Sequence, residues 1–157
     1  HINYKQYINL KPNFQLIPLV NAGLTLSADS SAIFYNYRIG GLQRLKITDI
    51  RFMGLNFDEL DYDNFIIGGL FLQNVILKNI YLKYGANLML PYEHIPLNNL
   101  NSFSTQKLFE ENSMLGYGAE LTYKSILGPI NIGLSNNTRD GQFRFYFSIG
   151  YSFNYSD

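Results

Sequence analysis

From Gln142 to Ser156 the chain alternates between two kinds of side chain. Phe143, Phe145, Phe147, Ile149, Tyr151, Phe153 and Tyr155 occupy one parity, while Gln142, Arg144, Ser148, Gly150, Ser152, Asn154 and Ser156 occupy the other, with Tyr146 the only large ring among them. Successive side chains of a strand point to opposite sides, so this is one ribbon with an aromatic wall and a small, polar wall. Seven consecutive apolar positions, six of them aromatic, would need an unusually large protein core to receive them, whereas hydrocarbon receives them with no partner. The polar wall lacks the Lys and Glu that coat a solvent face and carries Ser, Gly and Asn, which suit the lumen of a closed barrel. The stretch reads as a transmembrane β-strand that faces lipid through Phe143, Phe145, Phe147, Ile149, Tyr151 and Phe153.

Composition agrees with that reading. Charged residues are only 15% of the chain and aromatic residues 16%, yet the mean hydropathy is −0.08. A helical membrane protein would contain an uninterrupted apolar run of about 20 residues, and the sequence has none. In a barrel half of every strand faces water, which brings hydropathy near zero. The formal charge is zero, so nothing points to a nucleic acid or an acidic substrate. The absence of Cys excludes disulfides and thiolate chemistry. The chain starts at His1 without a basic-then-apolar leader, which suggests a mature form or, as the favoured reading, a piece of a longer precursor.

Further strands follow in order. Ile8, Leu10, Phe14, Leu16, Val20, Ala22, Leu24 and Leu26 share one parity through a short turn at Lys11, Pro12 and Asn13, predicting strands over 4–11 and 14–27. Pro18 lacks a ladder donor, which suggests an edge position or a bulge. Residues 28–60 lose the periodicity, and so long a connection is usually functional. It is expected as an extracellular loop, or one folded into the lumen, because Phe52, Met53, Leu55 and Phe57 ask for packing. Phe65 to Leu77 is apolar on both parities, a strand whose faces the sequence does not assign. Ile80, Leu82, Tyr84, Ala86, Leu88 and Leu90 then alternate with Tyr81, Lys83, Gly85, Asn87 and Met89. Residues 91–113 form a second long extracellular loop, with room for a short helix at Thr105 to Glu111. Two more strands flank a turn at Leu127, Gly128 and Pro129, and Asp140 and Gly141 mark a polar hairpin tip. Seven strands are clear, and a segment around Ile33 to Ile39 would make an eighth. Tight turns on one side and long loops on the other are the asymmetry of outer-membrane barrels.

The segment Leu115 to Phe153 resembles the C-terminal end of the bacterial surface antigen family, the BamA-like assembly and translocation barrels. These close with a glycine-rich strand, a short Gly-Pro turn, a strand, and a last strand ending in Gly-x-x-aromatic; the matching residues are Gly128 and Pro129, then Gly150 and Phe153. Such a resemblance implies an all-β, antiparallel transmembrane barrel in a Gram-negative outer membrane. This chain, a single barrel domain over 1–157 or a C-terminal barrel fragment, would supply seven or eight strands of a larger barrel. It implies a terminal assembly signal at Gly150, Tyr151 and Phe153, read by the barrel assembly machinery, although the chain continues to Asp157, so that Tyr155 could serve instead. It also implies a lumen loop carrying an Arg within Val-Arg-Gly-aromatic. Here Arg51 and Gly54 are the candidates, separated by Phe52 and Met53. The spacing is similar, too, to barrels attached to patatin-like phospholipases. No Gly-x-Ser-x-Gly elbow occurs in the chain, so any acyl-hydrolase would lie upstream.

The implied role is anchoring in outer-membrane lipid and assisting insertion or translocation of other polypeptides through a first-to-last strand seam, with another copy or upstream strands closing the barrel. The alternative is a complete eight-stranded barrel with a structural or adhesion role, which requires the strand of Ile8 to pair with that of Phe147. A soluble lipid-binding barrel is a third reading. No nucleophile, base and orienter can be assembled, so no catalytic residue, cofactor or metal site is expected. His1 and His94 are too far apart in sequence for a metal-ligand pattern. Asp58, Glu59, Asp61 and Asp63 lack the glycine and final Glu of a calcium loop and read as a solvated face. Glu120 and Lys124 are expected to pair with Arg144 across strands.

Overall fold

The computed structural model describes residues 1–24, 37–41, 49–62, 64–92 and 113–150. Among the described residues eleven strands follow one another: β1 (Ile2–Lys5), β2 (Ile8–Lys11), β3 (Phe14–Gly23), β4 (Tyr37–Ile39), β5 (Asp49–Ile50), β6 (Leu60–Tyr62), β7 (Asn64–Leu77), β8 (Ile80–Tyr92), β9 (Met114–Ser125), β10 (Gly128–Asn137) and β11 (Arg144–Ile149). The main sheet is antiparallel in the order β1-β3-β7-β8-β9-β10-β11, with β2 beside β1 on β3. Tight turns at residues 12–13, 78–79 and 126–127 join its hairpins at one end. The sheet does not close: among the described residues β1 and β2 pair with β3, and β11 pairs with β10.

β1 and β2 are one edge strand interrupted at Gln6 and Tyr7, and Pro18 supplies the reason. Its carbonyl accepts from the Gln6 N–H at 3.1 Å, so the nitrogen of Pro18 faces the same strand and has no hydrogen to give. Pro18 is therefore not at the edge but beside it, and the edge ladder breaks where its donor is missing. Pro129 acts similarly: its carbonyl takes the Gly150 N–H at 3.0 Å, and β11 ends at Ile149 just before Gly150, whose φ is 107°.

The register turns the alternation into two faces. Ile66, Leu70, Leu115, Tyr117, Leu121, Tyr123, Ile132, Leu134, Phe145, Phe147 and Ile149 all point outward and are exposed. Phe143 (72%), Phe145 (71%), Phe147 (55%) and Ile149 (59%) carry no covering layer among the described residues. Tyr151 and Phe153 lie outside the described residues, as do the helix expected at 105–111 and Asp63. The structure also assigns the faces of β7: Phe65, Ile67 and Phe71 register with Gly23, Asn21 and Ile17 and point inward, each 6% exposed or less.

What buries them is the connection between β3 and β7. Tyr37–Ile39 does not extend the main sheet as an eighth strand; β4 pairs in parallel with β5 and antiparallel with β6 in a separate three-stranded sheet. Ile39, Ile50, Phe52 and Leu55 from this connection join Phe65, Ile67, Met89 and Met114 from the main sheet in one buried cluster. An apolar inner wall in a nominally polar position is thus explained by a segment that lies on it, which gives β7 two buried-capable faces.

Candidate functional site

The inner face carries the docked segment, and Gly40, Gly41 and Gly54 shape it. All three have positive φ, at 149°, 70° and 87°, where a side chain would strain the backbone. Gly41 N–H donates to the Leu55 carbonyl at 3.1 Å and Phe52 N–H to the Gly41 carbonyl at 3.2 Å, closing the segment on itself. Phe52 (0% exposed) and Met53 (2%) then face the sheet.

Polar groups of the sheet hold the segment's backbone. Asn137 on β10 donates through Nδ2 to the Gly54 carbonyl, while its Oδ1 accepts from the Arg139 and Asp140 N–H groups at 2.8 and 3.1 Å. With its amide oriented by its neighbours, Asn87 on β8 accepts from the Met53 N–H and donates to the Gly116 carbonyl, each at 3.1 Å. Gly116 and Gly54 permit this approach. A Cβ on Gly116 would collide with the Met53 carbonyl and the Phe52 ring, and one on Gly54 with the Asn136 carbonyl.

A charged clasp joins the same segment to the last described strand. Arg144 is 8% exposed and reaches two carboxylates: Nη2 lies 2.7 Å from Glu59 Oε1 and 2.6 Å from Asp140 Oδ2, with Nε 3.1 Å from Glu59 Oε2. The side-chain hydrogen bond from Arg144, helped by the Gln142 N–H, lowers the Asp140 pKa from 3.8 to about 2. Arg144 therefore does not pair with Glu120 or Lys124 as the sequence suggested. Glu120 pairs with Lys83, its register partner on β8, and Lys124 lies 4.4 Å from the Tyr81 ring centroid. Glu59, read as part of a solvated acidic face, is instead the segment's link to β11, because the fold brings two positions 85 residues apart together. Asp58 meets Arg38 at 3.2 Å.

The predicted residues fall as follows. Gly54 sits at the Asn137 contact. Arg51 is exposed and lines a partly open cavity of about 240 Å³ between the segment and β1, β3, β7 and β8. Gly150 ends β11, outside the segment's contacts. The contact residues the motif did not indicate are Phe52, Met53, Glu59, Asn87 and Asn137; their apolar or amide character was visible, but their partners depend on register. His1 packs against the rings of Tyr37 and Phe65, at 5.6 and 6.4 Å between centroids. Among the described residues no group of His, Asp and Glu is arranged to hold a metal ion.

An all-β antiparallel sheet with an apolar outer wall and hairpins tight at one end is the fold class that the resemblance implied. No curated protein matches the chain. A family model described as the OMP85 superfamily matches residues 3–153, nearly the whole sequence, and the chain belongs to that superfamily.

Proposed function

We propose that this chain is the lipid-anchored closing portion of a larger outer-membrane barrel, and that the barrel assists insertion or translocation of other polypeptides through a seam at β11. Membership of the superfamily makes it an outer-membrane β-barrel protein; the seam and its use are our reading. The observation that carries it is the open sheet. Unpaired backbone groups in hydrocarbon cost several kcal/mol each, so the edges at β1/β2 and β11 call for further strands, from the same polypeptide or a second copy. The complete small barrel requires β2 to pair with β11, whereas among the described residues β11 pairs with β10 alone. We assign no catalysis to these residues, and an acyl-hydrolase domain would be a separate unit.

The chain lacks Cys, so an engineered pair tests the closure cleanly. Asn9→Cys with Ser148→Cys, oxidised after folding in detergent, should give no disulfide within one chain; a quantitative intramolecular bond would establish the small barrel and overturn our reading. For the seam, the protein reconstituted in vesicles should accelerate the folding of an unrelated unfolded barrel. An unchanged folding rate would remove the insertion role while leaving the anchor.

A further inference from the structure

The cavity beside Arg51 has a composition unlike the rest of the inner wall. Its floor runs across β1, β3, β7 and β8, where Asn3 registers with Asn21 and Lys5 with Leu19, and Ile50, Arg51 and Met53 overhang it. Three cations, Lys5, Arg51 and Lys83, line it, and no described carboxylate does. Lys83 is partly neutralised from behind by Glu120. Lys5 and Arg51 take part in none of the ion pairs among the described residues; the Lys5 ammonium lies 4.8 Å from the Tyr7 ring centroid. Asn21, 6% exposed, also lines the cavity. Asn3 and Asn87 add amides to the wall, and its apolar part includes Phe71 and Met53, which pack together.

We propose that this cavity binds a small amphipathic anion, a phosphate or carboxylate head held by Arg51 and Lys5 with an apolar body of ring size against Phe71 and Met53. Arg presents a planar fork that matches such oxoanions, and Lys supplies a point charge. The volume holds roughly eight water-sized units and is slightly smaller than pockets for drug-sized ligands, so the ligand is small or is the end of a longer molecule such as a lipid headgroup. The site stands independently of the seam.

The test uses the protein folded in detergent and titrated by calorimetry with phenyl phosphate. We expect one saturable site, weakened at least tenfold by Arg51→Gln and by Lys5→Gln, retained in Arg51→Lys, and unaffected by Arg38→Gln, whose partner is Asp58. Phenol and inorganic phosphate should each bind at least tenfold more weakly, since each keeps half of the recognition. Glycerol 3-phosphate in place of phenyl phosphate distinguishes the sources: tight binding identifies a headgroup, weak binding a free aromatic or aliphatic anion. Absence of saturable phenyl phosphate binding overturns the proposal, as does binding that survives Arg51→Gln or is matched by phenol. Circular dichroism of each variant confirms that its β content is that of the parent.

Discussion

Replacing Phe52 by Ala should undock the inner segment and leave the sheet intact. Phe52 is fully buried, and its cluster draws Ile39, Ile50 and Leu55 from the segment and Phe65, Ile67, Met89 and Met114 from the strands. Truncating a buried Phe costs about 3–5 kcal/mol through lost transfer energy and the cavity left behind. The ring bridges two layers and makes no ladder hydrogen bond, so the loss falls on the docking equilibrium. At the lower figure that equilibrium shifts about 100-fold. Native-state hydrogen exchange reads it directly: the Phe52 and Gly41 amides, bonded to the Gly41 and Leu55 carbonyls, should exchange about 100-fold faster, with β8 and β9 amides unchanged. Phe145→Ala, on the outer wall at 71% exposure, is the control and should leave segment exchange as it is. Equal protection in Phe52→Ala and the parent would refute the docking argument, and so would a matching loss of protection throughout β8 and β9.

Other consequences follow from the same contacts. Gly116→Val should expel the segment more completely than Phe52→Ala, since its Cβ meets the Met53 backbone rather than a side chain that can rotate away; proteolytic nicking within residues 49–57 would report it. Phe147→Arg, on the lipid wall, should destabilise the protein in bilayers by about 2–4 kcal/mol if it lies near the midplane, measured by chemical denaturation in vesicles, with a smaller cost in detergent. The Asp140 carboxyl has its pKa lowered from 3.8 to about 2, so its contribution to the Arg144 clasp is complete above about pH 4 and is lost as pH falls through about 2. Exchange of the Gln142 amide, bonded to Asp140 Oδ1 at 2.9 Å, should be insensitive to the clasp from pH 7 to 5 and lose protection between pH 4 and 2. Loss of that protection above pH 5 would contradict the assignment.

Much of this architecture was legible because it is written at period two. The outward parity of β8, β9, β10 and β11 follows from alternation alone, since each strand meets one solvent on each side. The tight turn before β3 followed from Lys11, Pro12 and Asn13. The sequence reading strained where a residue has neighbours on the inner side that are remote in the chain. β7 read as apolar on both parities because one face meets lipid and the other meets Phe52 and Ile39. Arg144 was expected to meet Glu120, and finding Glu59 instead required knowing that the connection folds back along the inner wall.

What the chain determines locally, then, is the ribbon: which residues extend, where they turn, and which wall carries the rings, because each depends on backbone pleat and side-chain transfer into hydrocarbon. Only the tertiary structure decides how the β3–β7 connection seats against Asn87, Gly116 and Asn137, and which charges meet. Those outcomes depend on inter-strand register and on steric room at glycine positions, quantities that arise when distant segments share one space.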